Sequence, residues 1–427
     1  MKNIYLGHSI IFLMILIIIF YSSYNPGKGL TEAAYVIAIG LDVGQTNSLK
    51  LSIQISDPSS SSNSDSSSSS QSSDSILETI ECSSISSGLN LFNSYLSKEI
   101  NLSHCKILVI SEELASKDIS EYLYTLMNNI EFRSDANLII SKCSSEMFLK
   151  SSKPSLEQLS ARYYESISTS SDNTGYTSNI TFGDFFSAHT NLFAEPVAIL
   201  GSVNTKNSQD LLASDLNSSN KSNRSSSSIF SATSKDSSYV AGQTPVESKN
   251  SIENLGLAVF NNGKVIGELN SIESLCYLII SNKLKIGQIT IPSPLSSEEF
   301  IDLSIKLNKK PKISVDLING SPFIKVNVKL SSRMLSMNKN SNILDNKNIE
   351  LIEEYTNRYL EESITSYLYK ISKVYKSDIN GFGKYAVKNF LFWNDWTDYN
   401  WLHNFPSSSF TVNVESNFKS SYLLMEI

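Results

Sequence analysis

The first 24 residues stand apart from the rest of the chain because they contain an unbroken apolar run. Residues Ile10–Tyr21 read IIFLMILIIIFY and include no charge, no glycine and no proline. With the flanks Ile4–Gly7 and Ser22–Tyr24 they give about 20 mostly apolar residues, which as a helix span about 30 Å, roughly the hydrocarbon thickness of a bilayer. Lys2 is the only cationic side chain before the run. Because positive charge stays on the cytoplasmic side, we expect the rest of the chain to lie outside.

Three interpretations of this run are open, and the pattern favours an uncleaved signal anchor. The second is a cleaved secretory signal, although Ser22 and Ser23 do not form the A-x-A pattern of a cleavage site. The third, a buried core helix, is disfavoured because no later segment is so uniformly apolar. Under the first two interpretations the chain is exported.

From residue 25 to residue 203, short apolar runs alternate with helical patterns. Leu49–Ile55 alternates apolar and polar positions, as a strand with one buried face does, and a turn-like segment, Asp42–Ser48, joins it to the run Ala34–Leu41. Ser111 before Glu112-Glu113 predicts a capped helix start. The other predicted strands are Ile76–Glu81, Lys106–Ile110 and Ala136–Ser141, and the other predicted helices are Ser86–Glu99, Ile119–Ile130 and Ser155–Ile167. This alternation predicts a layered α/β domain with a mixed sheet.

Two serine-rich segments, 57–74 and 204–250, interrupt these patterns. Neither can bury enough apolar surface to offset the entropy of ordering the chain. We predict that both are exposed disordered loops.

The second half of the chain combines hairpin signals with one long helix. Asn262-Gly263 and Asn319-Gly320 are strong turn signals between apolar runs. An apolar stripe predicts a helix over Asn346–Tyr375. The remaining elements are predicted strands at Leu257–Phe260, Lys264–Leu269, Ile301–Leu307, Lys312–Leu317, Phe323–Leu330 and Phe410–Val414, and a helix at Ser271–Leu284.

The patterns together predict an α+β protein of several domains, with mixed β-sheets flanked by helices and one N-terminal transmembrane or signal-anchor helix. The predicted divisions are an anchor over 1–24, an N-terminal α/β domain over 25–203, the insert 204–250, a small hairpin–helix domain over 251–295 and a C-terminal α+β domain over 296–427.

Composition excludes some functional classes. A net charge of −7 and a pI near 5.3 argue against nucleic-acid binding, which needs a cationic face. The four cysteines, Cys82, Cys105, Cys143 and Cys276, are far apart and form no C-x-x-C, so zinc or iron–sulfur ligation is disfavoured. A disulfide is possible outside the membrane. The last three cysteines adjoin apolar runs, which favours small buried thiols.

No catalytic motif is convincing. The sequence has no G-x-S-x-G, no H-E-x-x-H and no phosphate-binding G-x-x-x-x-G-K-[ST]. Gly381–Ala386 matches a loose dinucleotide fingerprint but follows a helix, so a helix-ending turn is favoured. Histidines at 104, 189 and 403 are scattered, and the pairs Glu112-Glu113 and Glu361-Glu362 are helix neighbours that point apart. We therefore assign no catalytic residue, no cofactor and no metal site.

The aromatic segment Phe390–Trp401 allows two interpretations. It can form a ligand-binding platform, or it can pack a C-terminal arm onto the protein's own core. Such segments more often pack, so core packing is favoured.

Several segments, in order, resemble the motifs of one known family. Tyr35–Asp42 (YVIAIGLD) is similar to x-V-I-G-I-G-I-D, and Ser103–Ala115 (SHCKILVISEELA) is similar to G-H-x-x-V-I-V-I-G-E-E-L-A. Further similarities are Ile53–Ile55 to V-Q-I, Ile130–Arg133 to x-E-I-R, Pro154–Glu157 to P-P-L-E, Gly256–Gly267 to G-x-A-V-F-K-x-D-K-L-V-G and Ser377–Gly383 to A-D-I-F-G-F-G. Their shared order from about Leu30 to the C-terminus resembles the Ger(x)C spore germination proteins, the C subunits of nutrient germinant receptors.

This resemblance implies a non-catalytic, membrane-anchored subunit on the outer face of the spore inner membrane. It implies partnership with an integral A subunit and a transporter-like B subunit, no known enzyme activity and no assigned catalytic residue, and whether this subunit contacts the nutrient stays open. One departure is that the family's lipid-modified cysteine after the apolar run is absent, since the first cysteine is Cys82. The polypeptide anchor must then hold the protein.

The leading hypothesis is therefore a germinant-receptor C subunit that helps to sense nutrients and trigger germination. The alternative is an exported binding protein for a small ligand or a cell-wall component, with Trp393 and Trp396 in its platform. An exported hydrolase without a recognisable motif is the third hypothesis.

Overall fold

The computed structural model of the chain describes residues 2–23, 33–46, 48–56, 75–152, 157, 159–204, 238–246, 252–295, 299–337 and 346–418. The predicted disordered loop 57–74 lies outside the described residues, as does the predicted insert 204–250 apart from Asn204 and residues 238–246.

A nine-stranded mixed sheet organises the first part of the chain. Its order is β3-β2-β1-β5-β6-β7-β8-β9, with β4 paired to the start of β1. Strands β1, β5, β6 and β7 run parallel, and the outer strands are antiparallel to their neighbours. The strands are β1 (Ala33–Val43), β2 (Leu49–Ser56), β3 (Ser75–Cys82), β4 (Glu99–Asn101), β5 (Ile107–Ser111), β6 (Asn137–Ser141), β7 (Val197–Val203), β8 (Ile252–Asn261) and β9 (Lys264–Leu269). The predicted mixed sheet is confirmed.

Helices cover both faces of this sheet, so its central strands are apolar on both sides. Leu108 and Ile110 belong to one core, whereas Ile107 and Val109 belong to a second core that continues to the other sheet. Apart from α1 (Lys2–Ser23), whose described side chains are exposed, the helices in this part of the chain and the one that follows β9 are α2 (Ile85–Tyr95), α3 (Glu112–Ala115), α4 (Ser120–Met127), α5 (Ser145–Ser151), α6 (Ser160–Thr174), α7 (Phe182–Thr190) and α8 (Ser271–Ile280). The predicted cap is present, since the Leu114 N–H donates to Ser111 Oγ at 3.4 Å.

Two predicted helices have different ends in the structure. The helix predicted at Ser155–Ile167 runs from Ser160 to Thr174, and Leu159 precedes it without a side-chain cap. It extends that far because Gly175, at φ +74°, adopts the left-handed conformation that ends a helix. The helix predicted at Ser86–Glu99 ends at Tyr95, because Glu99 begins β4 and pairs with Ala33.

A second, four-stranded sheet forms the other half of the molecule, in the order β10-β11-β12-β13. Its strands are β10 (Gly287–Pro292), β11 (Phe300–Ile318), β12 (Ser321–Met337) and β13 (Ser409–Phe418). The two strands predicted at Ile301–Leu307 and Lys312–Leu317 are one strand, β11. Its register shifts between Leu307 and Lys312, on either side of Pro311, as expected where proline interrupts a ladder.

The long predicted helix is α9 (Asn346–Tyr369), and one π-helical segment, Lys370–Val374, continues it. Three short helices follow: α10 (Gly383–Ala386), α11 (Trp393–Tyr399) and α12 (Trp401–Asn404). The stretch 251–295 was predicted as a separate small domain, and the structure describes its residues 252–295. They supply β8 and β9 to the first sheet and β10 to the second.

The predicted transmembrane helix is not supported: among the described residues, no helix is both long enough and apolar enough to cross a membrane. Within α1, the longest run of side chains that the structure describes is Ile11 to Phe20, all of them exposed.

Candidate functional site: the junction between the two sheets

The segment Ser377–Gly383, which follows α9, joins the two halves of the molecule. Ser377 Oγ donates a hydrogen bond of 2.7 Å to the carbonyl of Phe260 in β8. The backbone N–H of Glu195, just before β7, donates to the carbonyl of Asp378 at 2.9 Å. The dinucleotide-fingerprint match Gly381–Ala386 comes directly after these contacts and leads into the short helix α10, so it begins a helix instead of ending one as predicted.

Asp378 holds this segment in place. Its carboxylate accepts hydrogen bonds from the backbone N–H of Gly381 at 2.9 Å, the backbone N–H of Gly383 at 3.0 Å and Trp401 Nε1 at 2.8 Å. The side chain is fully buried. A buried carboxylate with three donors fixes the backbone and the indole around it.

Two buried carboxyl groups meet at the junction. Burial raises the pKa of Asp378 to about 6, against the opposing effect of its hydrogen bonds. Burial, helped by the charge of Asp378, raises the pKa of Glu195 to about 7, although the Asn262 N–H opposes the shift. The Asn262 N–H lies 3.4 Å from Glu195 Oε1 and 3.2 Å from Glu195 Oε2. Among the described residues, it is the one hydrogen-bond donor to this carboxyl group. Both groups therefore change charge nearer to neutral pH than ordinary carboxyls do.

A cavity of about 310 Å³ opens beside Glu195. It lies between α7, the start of β7, the end of α8 and the segment before α10. Its lining includes Asp184, Asn191, Glu195, Tyr277, Asn380 and Lys384. This size suits a small polar molecule or a few waters.

The described residues contain no group of three His, Cys, Asp or Glu side chains that could hold a metal ion. The cysteines are free thiols. Burial raises the pKa of Cys105 to about 12, so this thiol stays protonated, consistent with a small buried apolar residue.

The histidines and glutamate pairs do not converge. His104 is exposed and makes an edge-on ring contact of 4.7 Å with Tyr35. His189 Nε2 lies 3.0 Å from Ser120 Oγ, and burial lowers the pKa of His189 although Asp118 opposes the shift. Glu361 instead accepts a hydrogen bond from the backbone N–H of Val414 at 2.9 Å.

The aromatic segment is divided between core and surface, and two of its three tryptophans are too buried to belong to a ligand-binding platform. Trp396 and Trp401 are each 2% exposed and stack on one another at 6.1 Å between ring centres. Phe193, from the loop after α7, stacks on Trp396 at 5.5 Å and ties the segment to the first sheet. Trp393 is exposed.

Asp42, the last residue of the family-like motif Tyr35–Asp42, resembles Asp378 in being a buried carboxylate that accepts three hydrogen bonds. Asp42, at the end of β1, is buried and accepts from the backbone N–H and Oγ of Ser145, both at 2.7 Å, and from the Glu146 N–H at 3.1 Å. It therefore caps α5. Reasoning from the sequence missed the roles of Asp42, Glu195 and Asp378. Each is a single acidic residue whose partners are brought to it by the fold, so no spacing pattern in the sequence identifies it.

Comparison with known families accounts for this architecture. Residues 27–200 match the model described as "Spore germination protein N-terminal domain", and residues 255–422 match "Spore germination B3/ GerAC like, C-terminal". The chain belongs to the Ger(x)C family of spore germination proteins. The predicted resemblance is confirmed. Both matching models describe spore germination proteins, and neither describes an enzyme.

The fold agrees with this assignment. The solved structure described as "Crystal Structure of the GerBC protein" aligns with a TM-score of 0.50 and 13% identity, covering 90% of this chain and 97% of that one. At this identity the likeness shows the fold alone. A comparison with functionally curated proteins finds no significant match.

In this Ger(x)C protein the family-like motifs have structural positions. Tyr35–Asp42 is the central strand β1 and ends on the α5 cap. Gly256–Gly267 is the β8–β9 hairpin, whose turn residues Asn262 and Gly263 both have positive φ, as the Asn-Gly signal predicted. Ser377–Gly383 docks on that hairpin.

Proposed function

We propose that this protein is the membrane-attached C subunit of a nutrient germinant receptor on the outer face of the spore inner membrane. It assists the A and B subunits in coupling a nutrient signal to germination. The observation that carries the proposal is the ordered match of two spore germination models over both halves of the chain. The buried aspartates, which act as structural caps, agree with a rigid accessory subunit.

Attachment through α1 is part of this proposal. Its support is the run of ten consecutive apolar side chains, Ile11 to Phe20, that the body of the protein does not cover. Exposed apolar surface of this extent is unfavourable in water and favourable in lipid. The residues just after the apolar run include no cysteine at the place of the family's lipid-modified one, which also favours α1 as the attachment.

Purification from spores tests the assembly. Membranes of dormant spores are solubilised in mild detergent, and a tagged copy of this chain is captured. We expect the A and B subunits to co-purify with it. A strain that lacks the gene should germinate slowly with nutrients but normally with a nutrient-independent trigger. Capture without either subunit, together with normal nutrient germination, would exclude the proposal.

Alkaline carbonate extraction of the same membranes tests the attachment. The unaltered chain should stay in the pellet, and the variant Ile17→Lys/Ile18→Lys should move to the supernatant, since charges in the helix centre oppose insertion. Release of the unaltered chain by salt alone would contradict attachment through α1.

A further inference from the structure

We propose that a second surface of the protein rests on the same membrane: the end of the first sheet at which β1, β5, β6 and β7 begin, here called the amino edge. The proposal rests on the attachment of α1 proposed above. Its occupant is a lipid surface, which is contacted by Leu391 and Phe392, just before α11, and by Trp393, the first residue of α11; these three residues are here called the apolar tip.

The three large apolar side chains of the tip are unusually exposed to solvent. Leu391 is 93% exposed, Phe392 70% and Trp393 56%. Phe392 occupies the N-cap of α11 without a side-chain cap bond. Since Ser, Thr, Asp and Asn are the residues that stabilise this position, local helix stability does not explain a phenylalanine here. Exposure of three consecutive large apolar side chains to water is also unfavourable.

Strand register locates the point at which the N-terminal helix joins the body. In the parallel part of the sheet, Ala38 pairs with Ile107, and Ile107 pairs with Asn137. Val197 is at the same level, because Ile139 pairs with Ile199. Ala33, where β1 begins, lies five residues before Ala38 and therefore at the amino edge.

The apolar tip lies at that same edge. The Trp393 ring contacts the ring of Phe193 at 6.2 Å between centres, and Phe193 lies four residues before Val197 at the start of β7. Strands β1 and β7 are three steps apart in the sheet, about 14 Å. Ser23, the end of α1, and Ala33 are ten residues apart in the chain, which limits the distance between them to about 36 Å. A membrane that holds α1 is therefore within reach of the tip.

Other exposed apolar side chains lie at the amino edge. Tyr95 ends α2 just before β4, Ile130 lies in the connection that leads into β6, and Leu192 precedes Phe193. Each is more than half exposed. The cavity beside Glu195 opens near this edge too, but neither these three side chains nor the apolar tip belong to its lining, so a ligand in that cavity does not account for the group.

Residue types and charge favour lipid as the occupant. Trp, Tyr, Phe and Leu are the side chains that enter the interfacial layer of a bilayer. The exposed charges flanking the tip are Lys384 and Lys388 on one side and Asp395 and Asp398 on the other, so they balance. Contact is then driven by apolar burial, and it should occur with uncharged phosphatidylcholine and be insensitive to salt.

Tryptophan quenching tests the proposal on the full chain. The protein is reconstituted into phosphatidylcholine vesicles in which some of the lipid carries bromine on its acyl chains, a contact quencher of tryptophan emission. Trp396 and Trp401 are buried and serve as an internal background. We expect the brominated lipid to quench a share of the emission, and we expect Trp393→Tyr to lack that share at low and high salt alike.

Two variants sharpen this measurement. Leu391→Ser/Phe392→Ser removes the neighbours of Trp393 and should lower the quenching without releasing the protein from the vesicles. Val246→Ser removes an exposed apolar side chain at the opposite edge, where Asn204 Nδ2 donates to the carbonyl of Thr244 at 2.9 Å, and should leave quenching unchanged.

The outcomes separate this inference from the proposed attachment. Loss of vesicle binding in Ile17→Lys/Ile18→Lys reports on α1 alone. Quenching that disappears in the tip variant, while the protein stays bound, supports the inference. Bound protein whose Trp393 is unquenched by brominated lipid and accessible to aqueous acrylamide overturns it. Protection of Trp393 only after the A and B subunits are added also overturns it, in favour of a protein contact.

Discussion

At the scale of single residues, two buried carboxyl groups differ in how many hydrogen bonds they accept. Asp378 accepts three donors and fixes the junction, whereas Glu195 accepts one backbone N–H and lines a cavity. Both are carboxyls in low-dielectric surroundings, but the protein satisfies only one of them. Their substitution should therefore have opposite effects on stability.

Asp378→Asn should destabilise the fold by about 2–4 kcal/mol. The amide nitrogen would face a backbone N–H or the indole N–H and leave a buried donor unsatisfied. Trp401→Phe is the matched variant, which removes one donor and keeps both backbone bonds, and it should cost less than Asp378→Asn. Urea unfolding followed by circular dichroism measures both. Equal stability of Asp378→Asn and the unaltered protein would contradict the assigned role.

The pH dependence of stability follows from both buried carboxyls, because burial raises the pKa of Asp378 to about 6 and acts up to a higher pH through Glu195. Its pKa in the folded state, about 7, is above its ordinary value, so the folded state binds the proton more tightly than the unfolded state does. Stability should fall as pH rises from about 4.5 to 7 and should not fall further from this cause above pH 7. Glu195→Gln should flatten that decline and add about 1–3 kcal/mol at pH 8. A decline of unchanged slope in Glu195→Gln would show that other groups cause it.

At the scale of elements, helix α9 protects the open edge of the second sheet. On its outer side, the edge strand β13 has no neighbouring strand, and every second backbone N–H points to that side. Those of Val414, Ser416 and Phe418 donate to Glu361 at 2.9 Å, Asn357 at 2.8 Å and Glu353 at 3.4 Å. Four residues of helix rise about 6 Å and two residues of strand about 6.7 Å, so the two repeats match. This cover blocks pairing with another strand.

Removal of two of these acceptors should open the edge. In Asn357→Ala/Glu361→Ala, we expect faster hydrogen exchange at the Val414 and Ser416 amides and a loss of about 1–2 kcal/mol. Glu354→Ala removes an acceptor from the exposed ion pair with Arg358 and should change neither quantity by much. Unchanged exchange at both amides would disprove the protective role.

At the scale of the whole molecule, the two sheets share one continuous core. Side chains from β5, α8, β11, β12 and α9 belong to a single buried cluster, and the segment Ser377–Gly383 closes it from one side. At Gly383 the backbone approaches so closely that an added Cβ would lie 2.7 Å from the Phe193 carbonyl oxygen and 2.8 Å from Trp401 Cδ1. We expect the unaltered protein to unfold in one cooperative transition.

Gly383→Ala should weaken this coupling, because the methyl group pushes the segment away from the first sheet. The unfolding midpoint should fall, and the transition should broaden or divide into two. Gly320→Ala adds a methyl group in open space at a hairpin tip, where only the strain of its positive φ acts, and the single transition should persist. Thermal unfolding by calorimetry distinguishes the two variants. An undisturbed midpoint in Gly383→Ala would show that the contact is unimportant.

The sequence by itself determined the local features of this protein. Apolar alternation and Asn-Gly turns specified the strands and hairpins, Ser111 specified a helix start, and the ordered motifs specified the spore germination family, because these signals act between near neighbours or survive as patterns. Tertiary structure decided what depends on distant pairing. It placed the 252–269 hairpin in the first sheet, converted Glu99 from a predicted helix end to a strand, buried Trp396 and Trp401, and brought Glu195 against Asp378. Those outcomes depend on contacts between residues far apart in the chain, and no local pattern encodes them.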